Sequence, residues 1–267
     1  MFDFLHSNIP DPYLIEWGIL KIRWYGFLMV VGGLFGYWLI LKLAKRKELD
    51  KKLFQDLLLY FPLGAIIGAR IYYVFYAWEF YRNNLLDIFK IWEGGLAVHG
   101  IMIGGFIATY IYCKRKKISF WQIADLAVVG LAAAQMIGRA GNYFNQEIFG
   151  KPTDLAWGIP IEAINRPAGF ESFEYFQPVF LYECFGSMLI AGLLFFLNWK
   201  KLKWSDGNIF LIYLIMYSAM RFGLEFLRID YSPVLFGMRW PMIMSVLVFM
   251  VALSVLIYRK CRENKTI

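Results

Sequence analysis

FWQIADLAVVGLAAAQMIGRAGNYFNQEIFG, residues 120–150, changes character in its middle. Up to Ile137 the run is apolar, with Asp125 as its single charge, and it approaches the roughly 20 residues that a helix needs to cross a bilayer. From Gly138 to Gly150 it turns polar, with Arg139, Asn142, Asn145 and Glu147 set among glycines and aromatics. The helix is expected to stop here and an outward-facing loop to begin. Charge placed at the end of a membrane span is costly, so the segment reads as a site for an anionic headgroup.

The rest of the chain agrees with a membrane reading. Of its 267 residues 60% are hydrophobic and 18% charged, with a mean hydropathy of +0.51, which is too apolar for an ordinary soluble domain. Seven apolar segments qualify as spans, near 17–41, 57–77, 94–113, 120–138, 179–198, 209–228 and 240–258. The expectation is an all-α, polytopic, single-domain membrane protein over residues 1–267. Its longest non-spanning stretch, 139–178, holds four prolines and Trp157 and reads as an ordered external cap. Trp and Tyr gather at the span ends, as interfacial belts do.

Basic residues fix an orientation. They collect in the first connection (Lys42, Lys45, Arg46, Lys47, Lys51, Lys52), the third (Lys114 to Lys117), the fifth (Lys200, Lys201, Lys203) and the tail (Arg259, Lys260, Arg262, Lys265). By the positive-inside rule those loops are cytoplasmic, which puts the N-terminus outside and the C-terminus inside. The net charge of +8 is therefore distributed by topology and not gathered on a nucleic-acid-binding face. Cys113, Cys184 and Cys261 imply no disulfide framework. The first span lacks a basic n-region and a cleavage site, so it reads as a retained helix. Pairs of glycines four apart, Gly32/Gly36, Gly64/Gly68 and Gly100/Gly104, read as close helix contacts.

Ionisable groups inside spans are functional candidates by default. Here they are Arg70, His99, Asp125, Arg139, Glu183, Arg221 and Glu225. All except Asp125 fall in the outer half of their spans, at a depth shared by Tyr25. Such a convergence from several helices describes a polar cavity open to the outside. Asp125 lies in the first turns after Ser119, where the dipole of its own helix favours a carboxylate. Arg221, Glu225 and Arg228 recur at i, i+4 and i+7 and share a face, with one carboxylate for two guanidiniums. With Arg139 at the same depth, positive charge is in excess, and the planar guanidinium fork suits phosphate. His99 is flanked by glycines that leave room beside its ring, and an imidazole is a candidate base. With only His6 and His99 in the chain and no cysteine cluster, no metal or other cofactor is expected.

At this point the chain resembles bacterial phosphatidylglycerol:prolipoprotein diacylglyceryl transferases nearly from end to end. GRAGNYFNQEIFG is similar to the family signature, with Tyr143 where phenylalanine is usual. GGLAVHGIMIGG resembles its histidine-glycine segment, with Ile101 where a second glycine is frequent, and IRWYGF, RFGLEFLR and QPVFLYE complete the set. Gln177 stands where some members carry histidine and is assigned no role. The resemblance implies transfer of a diacylglyceryl group from phosphatidylglycerol to the lipobox cysteine thiol of a preprolipoprotein signal peptide. Glycerol 1-phosphate leaves, at the outer leaflet of the cytoplasmic membrane. His99 would be the base, with Tyr25 as an alternative relay or lipid-orienting hydroxyl. Arg139 and Arg221 would clamp the phosphate and Asn142 orient the headgroup. Asn145, Arg228 and Arg70 would support binding, and Glu147, Glu183 and Glu225 would position arginines or the cap. A positive pocket could also lower the thiol pKa without a dedicated base, leaving His99 to orient substrate. The competing class is a seven-helix transporter or anionic-lipid-binding protein without chemistry. A transporter calls for inner-half polar groups, broken helices and paired repeats, which the sequence does not display.

Overall fold

The computed structural model describes residues 6–18, 20–200 and 204–265. Residues 1–5 of the N-terminal segment, and Lys201 and Lys203 of the fifth basic connection, lie outside the described residues. Eight helices dominate the described chain: α1 (Trp24–Arg46), α2 (Lys51–Tyr76), the single turn α3 (Trp78–Tyr81), α4 (Val98–Lys116), α5 (Phe120–Phe144), α6 (Val179–Trp199), α7 (Asn208–Glu225) and α8 (Trp240–Lys265). Three small antiparallel ribbons correct the all-α expectation: β1 (Tyr13–Trp17) with β2 (Leu20–Arg23), β3 (Ile159–Pro160) with β4 (Tyr175–Phe176), and β5 (Val234–Leu235) with β6 (Met238–Arg239).

Five helices, α1, α2, α5, α6 and α8, are long and apolar enough to cross a membrane. The other two expected spans became α4 and α7, of 19 and 18 residues. Charge explains their shortfall: α4 ends in Lys114, Arg115 and Lys116, and α7 carries Arg221 and Glu225. Two boundaries also move. The first helix starts at Trp24, because Tyr13–Arg23 pairs as a hairpin in which Glu16 faces Lys21 at 2.5 Å and Gly18 takes φ +59°. Hydropathy alone merges such a strand with the helix that follows it. At the other end, α5 runs to Phe144, so Arg139 and Asn142 sit on a helix and not in a loop.

The chain forms two compact units, one of residues 1–43 and 125–267 and one of residues 44–124. In the smaller unit α2 packs on α4 through glycines. A Cβ on Gly104 would lie 2.1 Å from the Gly64 carbonyl oxygen, and one on Gly100 would lie 2.3 Å from that of Gly68. No side chain fits there, which accounts for the two small-residue pairs.

In the larger unit α1 meets α5 in the same way, with a Cβ on Gly36 placed 2.3 Å from the Gly130 carbonyl oxygen. Asp125, 3% exposed, has a structural task different from the one expected: its carboxylate accepts from the backbone N–H groups of Gly207 and Phe210, both at 2.7 Å. It caps α7 from the side of α5, satisfying amides that an N-terminus otherwise leaves unpaired. A separate core of Tyr143, Phe149, Ile159, Ile161, Phe176 and Phe180 orders the segment after α5. Tyr143 exceeds the usual phenylalanine by a hydroxyl, which donates to the Asn8 carbonyl at 3.0 Å. Gly150 is then threaded between two neighbours: its N–H donates to Gln177 and that of Lys151 to Leu227. A Cβ on Gly150 would lie 2.8 Å from the Leu227 carbonyl oxygen. This stitching ties the end of the polar segment to the start of α6 and the end of α7, where the buried carboxylates stand.

Candidate functional site: an arginine cage around buried carboxylates

Glu183, in the second turn of α6, and Glu225, the last residue of α7, are each 2% exposed. Ionised carboxylates at that depth require close cations. Glu183 receives Arg139 Nε at 2.5 Å, Arg228 Nη1 at 3.4 Å and Arg221 Nη1 at 3.6 Å. Glu225 receives Arg221 Nη1 at 2.8 Å, Arg239 Nε at 3.1 Å and Arg228 Nε at 3.9 Å. Asp230, beyond α7, closes the cage with Arg228 Nε at 2.7 Å and Arg239 Nη2 at 3.7 Å. Four guanidiniums thus face three carboxylates, leaving one positive charge.

The geometry within the cage is uneven. Arg221 Nη1 touches two carboxylates, yet it is buried without a hydrogen-bond partner, as are both oxygens of Glu225. The short distances and missing alignments describe attraction without directed hydrogen bonds. A buried donor left in that state favours an added acceptor oxygen. Arg139 has the most exposed side chain of the four, at 27% against 19%, 18% and 9% for Arg221, Arg239 and Arg228. It is therefore the most accessible arginine of the cage.

Outside the helices, Asp230 illustrates the field. Burial pushes its carboxyl pKa up, but the hydrogen bond from Arg228 and the charges of Arg228 and Arg239 outweigh this and hold it below its ordinary value. Arg228 is also desolvated, and its acidic partners more than compensate, raising its pKa.

The remainder of the polar segment forms a second group. Asn142 and Asn145 both donate through Nδ2 to Glu147 Oε1, at 2.8 and 3.1 Å. Glu147 therefore orients the asparagines, not an arginine. Gln146 and Ile148 hold left-handed backbone at φ +50° and +58°, a strained state for a β-branched residue. It is sustained by the Phe180 N–H donating to the Ile148 carbonyl and by Gln146 Oε1 accepting from Glu162 N and Asn165 Nδ2. Tyr25, half-buried on α1, packs on Gly141, where a Cβ would come within 2.9 Å of its ring.

The structure therefore gathers Arg139, Glu183, Arg221, Glu225 and Arg228, with Asn142, Asn145, Glu147 and Tyr25 on or beside the same helix, α5. His99 and Arg70 belong to the smaller unit. His99 is exposed in the first turn of α4, its ring stacked on Tyr72 at 5.7 Å and 26°. Arg70, 7% exposed, donates to five carbonyls: Ile88 (2.7 Å), Gly94 (2.7 Å), Gly95 (3.1 Å), Asp87 (2.6 Å) and Lys90 (3.2 Å). Those bonds consume all five N–H groups of a guanidinium, so Arg70 organises residues 87–95 and keeps no donor for a phosphate.

Sequence reasoning missed Arg239, Asp230 and Gln146. Each lies outside the apolar segments, and the partners of Gln146 and Arg239 are not adjacent in sequence, although an arginine immediately before the Trp240 span start and the Arg228–Asp230 pair were usable signals. Among the described residues, no three His, Cys, Asp or Glu side chains converge as a metal-ligand set.

Apolar helices long enough for a bilayer, joined to a buried cluster of arginines and carboxylates, define a membrane protein with an ionic site in its interior. The family description "prolipoprotein diacylglyceryl transferase" matches residues 12–258. The phosphatidylglycerol–prolipoprotein diacylglyceryl transferase of Trichormus variabilis is 43% identical over 231 residues, 85% of this chain and 82% of that protein. The same-named proteins of Synechococcus elongatus and Listeria welshimeri are 40% identical over 91% of this chain and 38% over 95%, and cover 85% and 91% of their own lengths. The chain belongs to the prolipoprotein diacylglyceryl transferase family.

Proposed function

We propose that this enzyme moves the diacylglyceryl group of phosphatidylglycerol onto the lipobox cysteine of preprolipoprotein signal peptides, at the outer leaflet of the bacterial cytoplasmic membrane. In this reading α4 and α7 join the five long helices to make seven spans of a single domain. The N-terminus is outside, the C-terminus is cytoplasmic and residues 139–178 form an external cap. The names of the relatives supply the substrates. The observation that carries the reading is the cage, with four arginines against three carboxylates and a buried Arg221 donor that has no directed acceptor.

The chemistry follows from what each group can do. The peptide thiol, with an unperturbed pKa of about 8.5, gives its proton to water or hydroxide under the positive field of the arginines, and the thiolate attacks the glyceryl carbon that bears the phosphate. The sulfur–carbon bond forms as the carbon–oxygen bond breaks. The electron pair leaves with the phosphate oxygen as glycerol 1-phosphate. Arg139 and Arg221 hold that phosphate and offset its growing charge, the usual largest contribution to such a step. Asn142 and Asn145, fixed by Glu147, orient the glycerol headgroup, while Glu183, Glu225 and Arg228 hold the clamp arginines. Tyr25 lines the same wall.

The test is direct. Purified protein in phosphatidylglycerol-containing nanodiscs, given a lipobox peptide, should release glycerol phosphate and add the diacylglyceryl mass to cysteine. A Cys→Ala peptide should abolish both signals. Glycerol phosphate release without the cysteine would identify a lipase and overturn the reading.

A further inference from the structure

Arg239 is bound more completely than the other three cage arginines, and it comes from a different element. It closes the β5–β6 hairpin, whose turn at Phe236 and Gly237 takes φ +51° and +75°, and whose base is fixed by Trp240 N–H donating to the Pro233 carbonyl at 2.8 Å. From there its guanidinium reaches three carbonyls at and beyond the end of α7: Nη1 donates to Arg228 at 2.6 Å and Glu225 at 3.4 Å, and Nη2 donates to Asp230. Its Nε simultaneously contacts Glu225 Oε1 at 3.1 Å, while the other oxygen of Glu225 takes Arg221 at 2.8 Å.

Resting on the proposed function, we infer that Arg239 is a positioning residue for phosphate binding, acting on Arg221 through Glu225. Three features combine. A cation at a helix C-terminus satisfies carbonyls that have no intrahelical donor, so Arg239 fixes where α7 ends and where Glu225 sits. By occupying one oxygen of Glu225 it turns the other toward Arg221. It also belongs to the count: without it three guanidiniums face three carboxylates, and the surplus positive charge that favours a phosphate disappears. Arg239 is 18% exposed on its side chain and its donors are committed to protein oxygens. It orders the clamp and does not bind the headgroup.

The test is steady-state kinetics of Arg239→Gln in nanodiscs, varying phosphatidylglycerol against saturating lipobox peptide. The expected result is a KM for phosphatidylglycerol raised about tenfold or more, the size of effect seen when a close charge partner is removed, with kcat lowered less. The KM for peptide stays unchanged. Arg239→Lys, which keeps the charge but loses the fork, should recover part of the loss. Glu225→Gln combined with Arg239→Gln should cost no more than Glu225→Gln alone, because both act on Arg221 along one path. An additive double variant, or a phosphatidylglycerol KM unchanged in Arg239→Gln, overturns the inference. If Arg239→Gln does not fold, Arg239→Lys decides: wild-type KM with both substrates overturns it, and a selective rise for phosphatidylglycerol supports it. These outcomes are all read against active wild-type enzyme, whereas inactivity of the wild type with both substrates would instead count against the proposed function.

Discussion

Two buried arginine settings occur in this chain, and they use the same side chain for opposite ends. Arg70 spends five N–H groups on five carbonyls and so converts charge into loop geometry. In the cage, arginines meet carboxylates, and the exchange leaves a surplus charge and an undirected donor on Arg221. A saturated guanidinium builds structure. An incompletely directed one, held in place by carboxylates, is the one the proposed function assigns to the ligand. Burial alone does not separate the two cases; the identity of the acceptors does.

The comparison breaks most visibly under alanine substitution. Arg139→Ala and Arg221→Ala should each reduce glycerol phosphate release by at least about a hundredfold, as loss of a preorganised charge-stabilising donor does, with Gln177→Ala near wild type as the control. Retention of most activity in Arg139→Ala would remove the clamp from the account. Arg70→Ala should act the other way round. Leaving five carbonyls without their donor should destabilise the protein by about 3 to 5 kcal/mol, seen as a lower melting temperature in detergent. The specific activity of the folded fraction should stay within about threefold, inside the range expected when no transition-state contact is removed. A hundredfold activity loss in well-folded Arg70→Ala would erase the distinction between the settings.

The smallest effect concerns pH. The folded-state pKa of Asp230 is depressed, so its contribution to stability is complete above the ordinary aspartate range and is lost as pH falls through the lowered value. Its side chain is 44% exposed, and solvent screening limits the contribution to under about 1 kcal/mol. Asp230→Asn should therefore melt slightly below wild type at neutral pH, and the gap should close as pH falls through the lowered aspartate value. A gap that widened in acid would mean that Arg228 and Arg239 do not stabilise the charged form.

Much of this was legible in the sequence because the bilayer imposes simple rules. Five apolar runs became helices of spanning length, and Gly64/Gly68 and Gly100/Gly104 proved to be backbone contacts, as small residues four apart suggest. Arg221, Glu225 and Arg228 were readable as one face, and Arg139 as their neighbour in depth. What stayed hidden had no local signature. The second half of the β1–β2 hairpin, residues 17–23, was absorbed into the first span because hydropathy does not separate a short amphipathic strand from the helix that follows it. Asp125 was assigned to the dipole of its own helix, since nothing nearby in sequence announces that Gly207 and Phe210 supply its donors. Arg70 was grouped with the binding arginines because its acceptors are backbone carbonyls, which any sequence possesses. Arg239 escaped because a hairpin of four paired residues carries it back to α7.

The claim that the cage seats a phosphate is tested most directly by ligand-induced stabilisation. Melting temperatures of wild type and Arg139→Ala would be compared in detergent, with added phosphatidylglycerol and with added diacylglycerol, which lacks the phosphate. A ligand that binds only the folded state raises stability in proportion to its occupancy. The account predicts a rise in wild type with phosphatidylglycerol, little with diacylglycerol, and loss of the difference in Arg139→Ala. An equal rise with both lipids, or a full phosphatidylglycerol response in Arg139→Ala, would contradict it.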